Sequence, residues 1–163
     1  MRTADYWIKK LQLSTHIEGG AFREIYRSPM TVVPDGFPGV RNYATSIYFL
    51  LQQHQFSAFH KIKSDETWHF YYGDPLIVYE IDRATGQLTE HLLGNNPDNG
   101  EQFQCVIAAG NWFAARVTED GAYTLCGCTV SPGFDFADFE LAHQQDLLAQ
   151  YPQHASLIKA LTI

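Results

Sequence analysis

The sequence predicts an all-β protein, a sandwich or a barrel, with one helix before the strands and two short helices after them. Three observations lead to this prediction. Apolar and polar residues alternate through most of the chain, the alternating runs are short, and clusters of Gly, Asn, Asp and Pro separate the runs. The chain has 163 residues, which suits a single domain over 1–163 with a sizeable core.

The elements follow in order along the chain. A helix is predicted over residues 4–13, where Trp7 and Leu11 recur at helical spacing between lysines. From Asp138 the pattern becomes helical again, and Pro152 divides it into two short helices. Between these helices the period of two predicts nine strands, at residues 21–28, 43–51, 55–62, 66–72, 75–82, 87–93, 102–108, 111–117 and 121–130.

Charge and composition limit the classes of partner. The formal net charge is −7 and no run of Lys or Arg is present, which argues against nucleic acid and against an anionic membrane surface. No secretory signal and no apolar run of membrane-spanning length is apparent. The three cysteines, an odd number without such a signal, indicate reduced thiols and a cytoplasmic protein. Cys126 and Cys128 share one strand face and are interpreted as packing residues.

Strand parity predicts a polar cavity in the segment FSAFHKIKSDETWHFYYGDPL, residues 56–76. His60 lies on the face opposite Lys61 and Lys63, so it is expected to point inward. On the next strand Glu66 shares the more apolar face with Trp68, Phe70 and Tyr72. A buried carboxylate is rare unless it is paired, so an inward Glu66 beside an inward His60 predicts a polar pocket.

The spacing of His60, Ile62, Glu66 and Gly73 resembles the first sequence motif of the cupin superfamily, whereas only Gly110 matches the second motif. Five segments also resemble, in order, a family of small, single-domain, uncharacterised cupins similar to dTDP-sugar (dehydrorhamnose) epimerases. This resemblance implies a double-stranded β-helix, the cupin jelly-roll barrel, and a homodimer. The segments are EGGAFREIYRS, TSIYFLL, FSAFHKIKSDETWHFYYGDPL, AAGNWFAA and VSPGFDFADFEL.

The departures from the motifs bear on cofactors. Ile62 and Phe113 occupy the positions at which a metal-binding cupin supplies two of its histidines. Two remaining ligands are too few for an ordinary catalytic metal site, so no cofactor is predicted. The alternative is a divalent metal bound by His60 and Glu66, with His69, His91 or Asp135 completing its coordination.

The resemblance to epimerases implies a metal-independent reaction on a small ligand, sugar-like or anionic. His60 would be the general base and Glu66 the group that orients it. Arg23 and Arg27 would contact an anion, unless they pair with Glu18 or Glu24.

Further ligand-binding candidates are aromatic residues and a third histidine. Trp68 could stack on a ring of the ligand or fill the core. His69 is kept as a candidate although parity favours the opposite face of its strand. Tyr48, Tyr72 and Tyr123 are alternative acid partners for His60. A non-catalytic binding protein and a metal-dependent enzyme with an atypical ligand set remain as alternatives to the epimerase or isomerase.

Overall fold

The computed structural model describes residues 2–163, beginning one residue before the cap of the N-terminal helix. Helix α1, Ala4–Leu11, begins at Thr3, whose hydroxyl accepts a hydrogen bond from the Tyr6 N–H at 3.2 Å. It ends at Gln12, which adopts a left-handed conformation (φ 55°). The predicted helix over 4–13 is therefore two residues too long.

Thirteen strands follow, and all nine predicted strands are present with ends shifted by three residues or fewer. The four additional strands have two residues each, too few to produce a periodic signal. The strands are β1 Ser14–Thr15, β2 Ala21–Arg27, β3 Thr31–Val32, β4 Arg41–Asn42, β5 Thr45–Gln52, β6 Phe56–Lys61, β7 Asp65–Gly73, β8 Leu76–Ile81, β9 Leu88–Leu93, β10 Gln104–Ile107, β11 Trp112–Val117, β12 Tyr123–Ser131 and β13 Glu140–Leu141.

Two antiparallel sheets form the barrel. One has the order β1-β2-β5-β12-β7-β10, and the other has the order β13-β6-β11-β8-β9. Strands β3 and β4 form a separate ribbon. This is the jelly-roll arrangement that was predicted, because strands that are distant in sequence, such as β5 and β12, lie side by side.

The C-terminal segment begins differently from the prediction. The helical pattern from Asp138 is wrong for its first residues, because Glu140 and Leu141 form β13 and pair with Lys61 and His60 of β6. Helix α2, Gln144–Gln150, and helix α3, Ala155–Ala160, then follow on either side of the break at Pro152. No helix within residues 2–163 is long and apolar enough to cross a membrane.

Three apolar clusters fill the molecule. The interior cluster lies between the two sheets and includes Trp68, Phe113, Cys126 and Cys128. A second cluster, with Phe59 and Trp112, is buried beneath α2 and α3. All three cysteines are free and buried, and burial raises the pKa of the Cys105 thiol to about 12, as expected for packing residues rather than reactive ones.

The third cluster lies between α1 and the outer face of the first sheet, and it corrects the expectation for Tyr72. The pairing of β7 with β12 shifts register at Leu125/Cys126. This irregularity breaks the alternation, so Tyr72 packs against Trp7 of α1 at 5.3 Å between ring centroids rather than facing the interior with Glu66.

Candidate functional site

A cavity of about 450 Å³ opens at one end of the barrel. Its floor contains the buried side chains of Glu18, His60 and Glu66. Residues at its mouth are exposed, and they include Glu24, Arg27, Asp135 and Phe136. Between floor and mouth the wall is mainly apolar, with Phe22, Ile47, Ile62, Val130 and Phe134. Such a cavity can enclose a small molecule with a polar group at the floor.

His60 is held by hydrogen bonds at both ring nitrogens. Strand β6 places it on the interior face, where it is 3% exposed. Nδ1 lies 2.7 Å from the Ala58 carbonyl oxygen, and because a carbonyl only accepts, Nδ1 carries a hydrogen. Nε2 lies 3.0 Å from Oε2 of Glu18. The inward orientation predicted for His60 is confirmed, but the carboxyl group that contacts its ring is Glu18 rather than Glu66.

A glycine turn brings Glu18 into the barrel. Gly19 has φ 114°, and a Cβ atom there would lie 2.0 Å from the Phe56 carbonyl oxygen. Only glycine therefore allows this loop to lie so close to β6. The Glu18 carbonyl accepts a hydrogen bond from the Ala58 N–H at 2.8 Å. The Glu18 side chain accepts another, through Oε1, from the Ser57 hydroxyl at 2.9 Å.

Glu18 and His60 share one proton. Burial raises the pKa of Glu18, with His16 and the Ser57 hydroxyl opposing the rise. Burial also lowers the pKa of His60, although Glu66 acts in the other direction. Both directions favour a neutral pair in which the Glu18 carboxyl donates to Nε2 of neutral His60. The pair therefore holds a transferable proton between Oε2 and Nε2.

Glu66 is the second carboxyl group of the floor. It is 7% exposed, and the Cys128 thiol lies beside its carboxyl group. Burial raises its pKa to about 7, an effect that His60 opposes and Glu18 reinforces. A carboxyl group that titrates near neutral pH can accept or donate a proton under cellular conditions.

His16 extends this cluster toward the wall. Its Nδ1 accepts a hydrogen bond from the Glu18 N–H at 3.3 Å, which leaves the hydrogen of the neutral ring on Nε2. Burial lowers its pKa, and the neighbouring His60 adds to this effect while Glu18 opposes it. The ring packs edge-on against Phe22 at 4.5 Å between centroids. His16 therefore presents a neutral imidazole to the cavity.

The two arginine candidates lie in different environments. Arg27 lies at the cavity mouth, where its guanidinium forms a bidentate ion pair with Glu24 at 3.0 and 2.7 Å. Arg23 is exposed on the outer face of β2 and donates to the Leu11 carbonyl oxygen at 3.1 Å. The pairing of Arg27 with Glu24 was one of the predicted alternatives, and Arg23 is not part of the cavity lining.

The aromatic candidates and His69 also lie outside the cavity lining. Trp68 faces the barrel interior but is 1% exposed, packed against Phe49 and Phe113 beyond the floor. His69 lies on the outer face and contacts the Thr129 hydroxyl at 3.1 Å. Tyr48 packs against α1, and Tyr123 donates its hydroxyl hydrogen to the Arg2 carbonyl oxygen.

The residues of the floor do not fit a metal ion. Both nitrogens of His60 are engaged, by the Ala58 carbonyl and by Glu18. Phe113 packs against the imidazole at 4.1 Å between centroids, in the position at which a metal-binding cupin carries a histidine. Within residues 2–163, no three side chains of His, Cys, Asp or Glu are arranged to hold a metal ion. No reaction step is therefore derived through a metal.

Sequence reasoning missed the roles of His16 and Glu18. The sequence indicates Glu18 only as an ion-pair partner for arginine, and no periodic pattern indicates His16. Both precede β2 in the segment HIEGG, which lacks the alternation used to assign strand faces. The available signal was the pair Gly19–Gly20, which indicates a tight approach of the backbone to a neighbouring strand.

Comparisons with known proteins agree with this fold. A hypothetical protein from Leishmania major is 36% identical, with a TM-score of 0.94 over 99% of each chain. A protein from Shewanella oneidensis is 42% identical, with a TM-score of 0.91 over 100% of this chain and 99% of the other. An uncharacterized protein of Saccharomyces cerevisiae is 31% identical over 86% of this chain and 76% of its own length.

More distant structures share the fold alone. Oxalate decarboxylase from Bacillus subtilis is 17% identical, with a TM-score of 0.56 over 90% of this chain and 36% of its own. The likeness to dTDP-sugar epimerases and the homodimer stay predictions. The model of the family described as Cupin superfamily (DUF985) matches residues 5–142. This chain therefore belongs to that family of the cupin superfamily.

Proposed function

We propose that this cupin is a proton-transfer enzyme of the isomerase or epimerase type, which acts through its own carboxyl and imidazole groups on a small molecule in the cavity. The observation that carries the proposal is the composition of the floor. Glu66, with a pKa of about 7, lies beside a Glu18–His60 pair that holds a shared proton. One group can accept a proton while the other donates one, which is the requirement for moving a hydrogen without net consumption of acid or base.

The reaction is balanced without an oxidant or a reductant. The Glu66 carboxylate removes a proton from a carbon next to a carbonyl or imine group. The electron pair of the broken C–H bond forms a C=C bond, and the carbonyl or imine takes up the proton of the Glu18–His60 pair. In the return step Glu66 gives its proton to the former carbonyl or imine carbon, and the pair recovers a proton from the hydroxyl or amino group on the carbon that lost its hydrogen. The product is an isomer of the substrate, and each group returns to its initial state.

The apolar wall supports this role. Phe22, Ile62 and Phe134 exclude water from a ligand at the floor. Hydrogen bonds and charges act more strongly in such a low-dielectric site than in water. The two carboxyl groups are thereby kept in the neutral or half-neutral state that proton transfer requires.

Solvent exchange tests the proposal without knowledge of the natural substrate. The protein is incubated in D2O with hydroxyketones, aminoketones, 2-oxo acids and a 4-keto sugar nucleotide, and NMR follows the loss of the C–H signal next to the carbonyl group. At least one class should exchange, and Glu66→Gln should slow exchange by roughly 10²- to 10⁴-fold, the usual contribution of a general acid–base group. Glu80→Gln, outside the cavity lining, is the matched control and should exchange within a few-fold of wild type.

Two outcomes would contradict the proposal. One is exchange that is equally fast in wild type and Glu66→Gln. The other is a compound that binds in the cavity while neither it nor any other compound exchanges, a result that favours a non-catalytic binding protein.

A further inference from the structure

The charges that line the cavity are unbalanced. Four carboxyl groups line it, two at the floor and two at the mouth, against one guanidinium. That guanidinium, of Arg27, is already committed with four of its five N–H groups: besides Glu24, it donates to the Asn42 side-chain oxygen at 2.9 Å and to the Phe134 carbonyl oxygen at 3.1 Å. Within residues 2–163 the lining therefore offers no uncommitted arginine or lysine to an anionic ligand.

Glu66 is the group at the floor with the most unused hydrogen-bonding capacity. A carboxylate can accept about four hydrogen bonds, two of them from one planar donor. The potential donor beside Glu66 is the Cys128 thiol, a weak donor, and Glu66 is more than nine-tenths buried. Burial of a carboxyl group with so few partners is costly unless a ligand supplies donors.

The wall selects the rest of the ligand. Phe22, Phe134 and Phe136 surround the path from the mouth to the floor. Aromatic faces pack against planar rings and attract cations. A cavity of about 450 Å³ accommodates one or two rings rather than a nucleotide sugar.

We infer that the cavity binds a small planar cation, an amidine or a protonated amino-heterocycle, with its N–H edge on Glu66 and its ring between the phenylalanines. The inference goes beyond the proposed function: a cation held on Glu66 occupies the base, so it would compete with the reacting molecule rather than be transformed. An anion of the same shape would lie against the carboxyl groups without a free guanidinium, which disfavours it.

Binding of the cation is expected to depend on pH, because the ionised form of Glu66 is the acceptor. With a pKa of about 7 for Glu66, the ionised fraction rises about tenfold between pH 6 and pH 8. A cation lowers this pKa, so binding at pH 7 releases protons. The titratable groups that face Glu66 are His60 from β6, Glu18 from the β1–β2 loop, Cys105 from β10, and Cys126 and Cys128 from β12.

Three probes of one shape test the inference: benzamidine, a cation; benzamide, neutral; and benzoate, an anion. Calorimetry with the full chain is expected to give the order benzamidine, benzamide, benzoate from tightest to weakest. Benzamidine should bind about tenfold tighter at pH 8 than at pH 6, with proton release that calorimetry in buffers of different ionisation enthalpy detects. Glu66→Gln should remove the preference for benzamidine over benzamide, whereas Glu80→Gln should retain it.

Each other outcome overturns the inference. Tighter binding of benzoate, unchanged selectivity in folded Glu66→Gln, or no binding by any of the three probes would do so. Failure of the proposed function is distinguishable. Benzamidine binding without exchange by any carbonyl compound would support the cation site and contradict the proposed enzyme. Exchange of 2-oxo acids without benzamidine binding would support the enzyme and contradict the cation site.

Discussion

Two glutamate–histidine pairs in this molecule have similar geometry and opposite electrostatics. At the cavity floor, Oε2 of Glu18 lies 3.0 Å from Nε2 of His60. On the second sheet, Oε2 of Glu80 lies 2.8 Å from Nε2 of His91. Burial raises the pKa of Glu18. Burial acts on Glu80 in the same direction, but hydrogen bonds from His91, Asn111 and the Ala108 N–H outweigh it and lower the pKa.

The difference comes from the supply of donors. Glu80 accepts from the Asn111 amide at 2.8 Å and the Ala108 N–H at 3.0 Å in addition to His91, and these bonds hold the turn before β11. Glu18 has one side-chain donor, the Ser57 hydroxyl, because Nε2 of neutral His60 accepts, and Glu66 has a thiol beside it. A glutamate with its donors complete is a structural anion, whereas one short of donors in a dry cavity keeps a proton that it can transfer.

The largest expected effect is an opposite pH dependence of stability at the two sites. Because the pKa of folded Glu66 is raised to about 7 from 4.5, the folded state binds the proton more tightly. Its stabilising contribution is complete below pH 4.5 and is lost as pH rises through about 7, a change of about 3 kcal/mol. The free energy of unfolding of wild type minus that of Glu66→Gln should fall by about this amount between pH 4.5 and pH 8, measured by urea denaturation.

Glu80→Gln provides the opposite case. The lowered pKa of Glu80 makes its contribution complete above its unfolded pKa, and the contribution is lost as pH falls through the lowered folded value. The free energy of unfolding of wild type minus that of Glu80→Gln should therefore increase with pH in the acid range. If these two differences in unfolding free energy changed with pH in the same direction, the distinction between the two sites would be contradicted.

A smaller effect, of about 2 kcal/mol, is expected from the turn that positions Glu18. Gly19→Ala should be destabilising for two reasons: alanine disfavours the positive φ of this position, and its Cβ would clash with the Phe56 carbonyl oxygen unless the backbone moves. Gly100→Ala is the matched control, because Gly100 has φ 79° and no atom within 4 Å of the added Cβ. Gly19→Ala should lose about 2 kcal/mol more than Gly100→Ala on urea unfolding, and equal losses would show that the close approach does not position Glu18.

Strand parity predicted most of the barrel and part of the floor. His60 and Glu66 lie on strands in which apolar and polar residues alternate, so their inward orientation followed from their neighbours. The same rule also gives Glu80 the parity of the interior residues Leu76 and Val78. Parity therefore could not distinguish the structural Glu80 from the cavity Glu66. The donors that satisfy Glu80 come from the turn at residues 108–111, between β10 and β11.

The rest of the site depends on contacts that a sequence does not encode locally. Glu18 reaches His60 through pairing between a loop and a strand about forty residues away, and the register shift near Tyr72 arises where β7 meets β12. Arg23 and Arg27 are both plausible anion contacts from their residue type. Their spacing of four would place both on one face of a regular strand, but the pairing of β2 with β5 shifts register between Glu24 and Tyr26. Arg23 then contacts the end of α1, and Arg27 pairs with Glu24.

The smallest expected effect tests donor supply directly. Ser57 is fully buried and donates to Glu18, so Ser57→Ala leaves the carboxyl group with His60 as its partner. The expected loss of unfolding free energy is about 1 kcal/mol at neutral pH. A loss indistinguishable from zero would show that the Ser57 hydroxyl does not supply a stabilising donor to Glu18.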